Sequence, residues 1–187
     1  MNDRMPPLSA AEMSEEQNKA AAELAAGPRG GVRGPFIALL RSPELMSRLQ
    51  KVGEYLRYRS ALDARLAEFV MLVVARHWTQ QFEWAVHYPL ALKAGLDPAV
   101  ATALAEGRRP GGMRSDEALA YEFCHELWDR RGVCEATFRH AVEVFGERGL
   151  IDLVGLTGYF VTVSMVLNVA HTPSSEPSVV PLAPFPR

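Results

Sequence analysis

The sequence predicts an all-α fold, on three observations. Residues 36–170 are divided by helix start and stop signals into segments whose apolar positions recur at helical spacing. The only stretch in the two-residue period of a strand, Val161-Thr162-Val163-Ser164-Met165, lies inside a longer apolar run with no turn signal at either end. Hydrophobic residues make up 48% and charged residues 22% of the 187, the balance of a chain that buries a core rather than a disordered one. At roughly 150 residues per domain, that length predicts a single domain.

The elements follow in order. Residues 1–34 read as an arm whose middle, Ser9 to Ala26, is rich in Ala and Glu, with Ser9 or Ser14 able to cap a helix. The arm ends in Gly27-Pro28-Arg29-Gly30-Gly31-Val32-Arg33-Gly34-Pro35. No Gly-Lys-Ser/Thr follows and no strand precedes it, so this reads as a plain connector and not a phosphate loop. Residues 35–171 form the helical domain. Ser42-Pro43-Glu44 starts one helix, with proline at its first position and an acid near its positive end. Leu62 or Asp63 opens another, which runs through Phe69-Val70-Met71-Leu72-Val73-Val74-Ala75, apolar on every face and therefore deeply buried. Gly95 with Asp97-Pro98 stops the next helix and starts a short one. Residues 107–112 are a loop, and Ser115-Asp116-Glu117 caps a helix reaching about Arg131. Gly132, Gly146 and Gly149 punctuate the last two helices. Residues 172–187 hold five of the thirteen prolines, so they cannot continue a helix. They read as an extended tail, more often loose than docked, whose Val179, Val180, Leu182 and Phe185 could lie along a neighbouring subunit.

Charge and composition exclude several roles. Lys plus Arg (20) against Asp plus Glu (22) leaves a net charge of −2, without the clustered positive charge that nucleic acid or an anionic membrane surface requires. The best candidate for a membrane span, Leu153 to Leu167, is fifteen residues long and carries Gly155, Thr157, Gly158, Thr162 and Ser164. A span needs about 20 residues, so this reads as a helix buried inside protein. Two cysteines are too few for a disulfide framework, and the N-terminus lacks an apolar export signal, so the expected location is the cytoplasm.

Candidate chemistry concentrates between Glu68 and His87. Glu68 stands at the start of the apolar run, where a carboxylate is costly unless it faces a partner or a cavity. Beyond the run, at about 100° per residue, Gln80, Glu83 and His87 fall on one stripe of a helix, and Glu83 and His87 can touch as an i,i+4 pair. Pro89 leaves the carbonyl of Ala85 without its usual donor and bends the helix here. Most such pairs are surface ion pairs worth about 0–1 kcal/mol. This one is set apart by its position after a fully apolar helix, among Trp78, Phe82 and Trp84.

The segment Leu62 to Pro98 contains Glu68, Arg76, Glu83-Trp84, His87 and Ala91-Leu92-Lys93-Ala94-Gly95-Leu96. It resembles the carboxymuconolactone decarboxylase family, whose superfamily includes the alkylhydroperoxidase D proteins. Gly155-Leu156-Thr157-Gly158-Tyr159 with Met165-Val166-Leu167-Asn168 resembles that family's closing helix, and the likeness spans about residues 35–172. It implies an alkylhydroperoxidase D-like helical bundle and a ring-shaped homo-oligomer, trimeric or hexameric. The peroxidase branch carries Cys-x-x-Cys-x-x-x-His behind a glutamate. Here the glutamate falls on Glu68, the histidine on His87, and the cysteine positions on Gln80 and Glu83. Neither of the latter can attack a peroxide or form the resolving disulfide. Cys124 and Cys134 do not replace them, being separated by a Gly132 break, and Cys124 shares a face with Ala120 and Leu127 as a buried hydrophobe does.

The decarboxylase branch resembles Glu-x-x-x-His, which Glu83 and His87 match. Loss of CO2 from an acid conjugated to a lactone carbonyl leaves a delocalised carbanion that needs a proton, and an imidazole can deliver it. His87 is then the proton donor and Glu83 orients its ring. Glu68, if buried, keeps its proton or is neutralised by Arg65 or Arg76. Arg76, Gln80 and Trp84 are the expected substrate-binding residues, since an arginine fork matches a carboxylate.

The remaining histidines read blandly. His77 points to another face than His87, which argues against a metal; His125 and His140 sit on solvated faces, and His171 marks a helix end. Phe123 and Trp128 read as core. Tyr159 and Asn168 face opposite ways on one helix, so at least one is a packing residue. The expected function is a cofactor-independent lyase acting on a small carboxylated lactone or related acid. The alternatives are a non-catalytic oligomeric scaffold and an alkylhydroperoxidase-type enzyme using other thiols.

Overall fold

A computed structural model describes residues 2–174 and 182–183. Among these residues it holds eight helices and no strand: α1 (Glu15–Ala26), α2 (Pro35–Leu39), α3 (Pro43–Tyr58), α4 (Ala64–His77), α5 (Gln81–Lys93), α6 (Pro98–Ala105), α7 (Ser115–Arg130) and α8 (Glu135–Ala170). Capping follows the sequence signals in most places. Ser14 and Gln17 form a reciprocal capping box on α1. Asp63 accepts from the Leu66 amide at 2.9 Å, and Asp97 from that of Ala99 at 2.8 Å. Ser42 makes no side-chain cap, so Pro43 and Glu44 start α3 without it.

Helix α4 is the centre. Every residue from Phe69 to Arg76 is buried, and α5, α6, α7 and α8 all pack against it. A helix apolar on all sides can be stable in water only if neighbours cover it on all sides, and these four do. Arg65 pins α4 to α7 by pairing with Asp116 and Glu117, while the other oxygen of Glu117 accepts from the Arg114 amide at 2.8 Å. Stripping a buried guanidinium of its carboxylate costs about 3–5 kcal/mol, so this cluster fixes how the two helices sit. It also occupies Arg65, which therefore does not neutralise Glu68 as expected.

Gly146 breaks α8 with φ 70°, dividing Glu135–Ala170 into two helical pieces, whereas Gly149 continues the second piece without interruption. That piece is apolar by composition, and the most apolar window of α8 has a mean hydropathy of 1.9 with 56% of it buried. Leu153, Leu156 and Leu167 are fully enclosed, but Ile151 and Val169 are 65% and 61% exposed, and Val154 and Met165 also face outward. Burial of Leu153–Leu167 is therefore one-sided, a correction to the expectation of a helix enclosed in protein.

The arm is joined to the bundle. Helix α1 packs on α3, and Ala20 and Leu24 share a second core with Phe36, Leu39, Leu40 and Met46. The Arg4 amide donates to the Ala170 carbonyl at 2.8 Å, and the Arg41 guanidinium donates to the carbonyls of Met5 and Pro6. The connector between α1 and α2 reaches the bundle at Gly53 of α3, through Arg29, and at Phe82 of α5, through Gly34. Within the tail, Leu182 is buried and bonded to the Gln81 amide group in both directions, at 2.8 and 2.9 Å. Arg76 donates to the Ala183 carbonyl at 2.6 Å. At these two residues the tail is docked on its own chain, not loose; Val179, Val180 and Phe185 lie outside the described residues.

Candidate functional site

Helices α4 and α5 form a hairpin over a short turn. Trp78 ends α4, Thr79 takes the left-handed conformation at φ 47°, and the Gln80 side chain caps α5 by accepting from the Phe82 amide at 2.6 Å. This turn lays Glu68 of α4 beside His87 of α5. The imidazole Nδ1 lies 2.7 Å from Glu68 Oε2, and Nε2 lies 3.5 Å from Glu83 Oε2, one helical turn back on α5. Phe160 of α8 meets the ring edge-on at a centroid distance of 5.1 Å. His87 is only 3% exposed. Burial alone would push its pKa down, but hydrogen bonding and charge from Glu68 and Glu83 outweigh burial and hold it above the ordinary value. As imidazolium, the ring donates through both nitrogens, Nδ1–H to Glu68 and Nε2–H towards Glu83.

This pair opens onto a cavity of about 640 Å³ that Glu83 and His87 help to line. Phe82, Val86, Phe160 and Val163 give it an apolar wall. Arg29, Gly31, Arg33 and Gly34 of the α1–α2 connector, together with Arg57 and Tyr58 of α3, line the rest of it. The connector comes this close because of its glycines. Gly34 has φ +56°, and a Cβ there would stand 2.5 Å from the Phe82 ring. Tyr159 also lines the cavity. Burial pushes its phenol pKa up, the charges of Arg29 and Arg57 oppose that shift, and Glu83 adds to it. Among the described residues, no three His, Cys, Asp or Glu side chains are grouped to hold a metal.

The structure brings His87, Glu83 and Glu68 together and places the other three candidates elsewhere. Arg76 lines a separate 60 Å³ cleft with His77, Tyr121 and His125, and donates to the carbonyls of Ala105 and Ala183. Gln80 is a cap, not part of the stripe, and its Nε2 donates to Asn168 at 2.8 Å. Trp84 is 1% exposed and packs in the main core beside Tyr88. None of the three lines the cavity at His87. The partner of Glu68 is His87, in place of Arg65 or Arg76. The arginines that do reach this cavity, Arg29, Arg33 and Arg57, lie in the connector and at the end of α3. The signal available in the sequence was two arginines spaced among four glycines, a pattern dismissed as linker. Cys124 is buried against Thr157, with its thiol pushed up to about 11 by burial, and Cys134 is exposed; both are free.

Residues 43–114 match the model of the carboxymuconolactone decarboxylase family. Over that segment the chain is similar to this family. The chain's fold is similar to that of two solved structures, the first described as an alkylhydroperoxidase AhpD core. An uncharacterized peroxidase-related protein from Ralstonia eutropha JMP134 superposes with a TM-score of 0.74 at 15% identity, over 92% of each chain. A second such protein, from Silicibacter sp. TM1040, superposes with a TM-score of 0.72 at 15% identity, over 92% of this chain and 91% of that one. No curated protein sequence matches the chain. The matched segment runs from the first residue of α3 to Arg114, just before α7, and so contains Glu68, Glu83 and His87.

The raised pKa of His87 links folding to pH. Protonation is favoured in the folded state, so this group's contribution to stability is complete below about pH 6.5, the ordinary histidine value. It is lost as pH rises through the higher folded value. Urea unfolding from pH 5 to 9 is expected to show this component in the wild type and not in His87→Gln. Identical pH profiles for the two proteins would contradict it.

Proposed function

We propose that the cavity is the active site of a cofactor-independent lyase acting on a small carboxylated lactone or related acid. The observation that carries this reading is the buried imidazole, hydrogen-bonded to Glu68, 3.5 Å from Glu83 and open to a cavity with an apolar wall. The carbon–carbon bond to a substrate carboxylate breaks, CO2 departs, and the electron pair stays on carbon, delocalised onto the lactone carbonyl. The Nε2 proton of His87 then closes the valence at that carbon, and solvent returns a proton to the ring. Glu68, at the shorter distance, holds Nδ1–H and sets the ring's orientation. Glu83 flanks the nitrogen that gives up its proton. Glu68 and Glu83 raise the pKa of the ring and so favour its charged, proton-donating form.

The peroxidase-related names of the neighbouring structures favour a second reading, but its chemistry needs a thiol at the reacting position. Gln80 and Glu83 stand where that branch has cysteines, and no thiol lines this cavity. Cys124 is buried with its thiol pushed away from the reactive thiolate, opposite to what peroxide attack needs.

Assembly is part of the proposal. Ile151, Val154, Met165 and Val169 leave an apolar strip on α8 that a second copy of the chain would cover. Light scattering at micromolar concentration is expected to give a trimer or hexamer, and a mass near 20.6 kDa would contradict it. Free thiols suit the reducing cytoplasm as the compartment.

His87→Gln is expected to lower CO2 release from carboxylated lactones by at least about a hundredfold, with helical circular dichroism unchanged. Turnover equal to the wild type would remove His87 from the reaction, and absence of CO2 release from every lactone tried, with wild-type protein, would favour the scaffold reading.

A further inference from the structure

We infer that Arg29 and Arg57, beside Tyr159, form the subsite that holds an anionic group of the substrate, two aromatic rings away from His87. This rests on the reading of the cavity as a substrate site, and goes beyond it by naming what the substrate must carry and where.

The two guanidiniums converge because of α3. A Cβ on Gly53 would stand 2.2 Å from the Tyr159 hydroxyl and 2.8 Å from Nη2 of Arg29, so both side chains press onto α3 at a point where only hydrogen fits. Arg57 is one helical turn further along the same face. Each guanidinium lies over an aromatic ring: Cζ of Arg29 is 4.6 Å from the Phe36 ring centre and that of Arg57 is 5.3 Å from the Tyr58 ring centre. Three of their nitrogens are unanswered. Nε and Nη2 of Arg29 and Nε of Arg57 are buried and have no hydrogen-bond partner among the described residues. Buried cationic donors without acceptors are costly, no described residue satisfies these, and a bound anionic group would.

The missing acceptor is a planar anion. An arginine fork matches the two oxygens of a carboxylate, and the neighbouring Ile37, Tyr58, Phe82 and Phe160 accommodate an apolar or aromatic body attached to it. The spacing to the reacting centre follows from the rings between. Tyr159 lies 5.4 Å from Phe160, and Phe160 lies 5.1 Å from His87, centre to centre. A carboxylate that departs as CO2 gains nothing in rate from being clamped in the ground state. The group held by Arg29 and Arg57 is therefore one that stays on the product, and the reacting carbon lies at the His87 end.

The experiment is isothermal titration of the full-length protein with benzoate and with benzamide, its uncharged counterpart of the same shape. The expected result is at least tenfold tighter binding of benzoate. Arg29→Gln and Arg57→Gln should each remove most of that preference, while His87→Gln keeps it. No benzoate preference in the wild type overturns the inference, as does a preference that survives in both arginine variants. If an arginine variant does not fold, the wild-type ratio together with Arg57→Lys, which retains charge but loses the fork, decides in the same way. An arginine-dependent preference in a protein that releases no CO2 would uphold this subsite and sink the lyase reading alone.

Discussion

The arrangement on which everything else depends is one imidazole, shut away from water, between two carboxylates contributed by different helices. Glu68 comes from α4, Glu83 from one turn earlier on α5, and His87 can meet both only because the two helices fold back on each other through Thr79. The energetic contest there is between desolvation, which disfavours the charged ring, and two anions at hydrogen-bonding or near-bonding distance, which favour it. The anions win. On the proposed reading, this ring, favoured in its charged form at the edge of a cavity, delivers the proton.

The rest of the chain supports that geometry from behind and in front. Behind it, α4 is covered on all sides, so the backbone carrying Glu68 has no freedom to slide; Arg65, paired to α7, fixes the same helix near its start. In front, the connector after α1 closes the cavity, and it does so because the N-terminal segment is bonded to the end of α8 and α1 is packed on α3. A stretch that a reader would discard as linker thus supplies two arginines to the wall.

How much of this was legible in the sequence depended on how local the signal was. The all-helical architecture, the buried α4, the caps at Ser14, Asp63 and Asp97 and the break at Gly146 are set by residues within one or two turns of each other, and periodicity reveals them. The Glu83–His87 contact is also local, an i,i+4 pair. Glu68 was visible as a misplaced carboxylate, but its partner was not, because nineteen residues and a left-handed turn separate it from His87. Gln80 seemed to continue the Glu83–His87 stripe only if the helix began before it; the helix begins after it, and the amide became a cap. Arg76 and Trp84 matched the chemistry and the composition of a binding site, yet tertiary packing turned the first to a separate cleft and the second into the core. Arg29, Arg57 and Tyr159 share no sequence neighbourhood at all. What brings them together is Gly53, where the absence of a side chain on α3 lets a connector and a distant helix touch.

The most direct test of the central claim is the titration of His87 itself, followed by nitrogen-15 NMR of imidazole-labelled protein between pH 5 and 9. The account predicts a midpoint above the ordinary histidine value of about 6.5, a ring N–H protected from rapid solvent exchange, and a fall of the midpoint in Glu68→Gln. A midpoint at or below the ordinary value, with a ring proton exchanging freely and indifferent to Glu68, would show that the two carboxylates do not hold the charge, and the proton-donor account would fail.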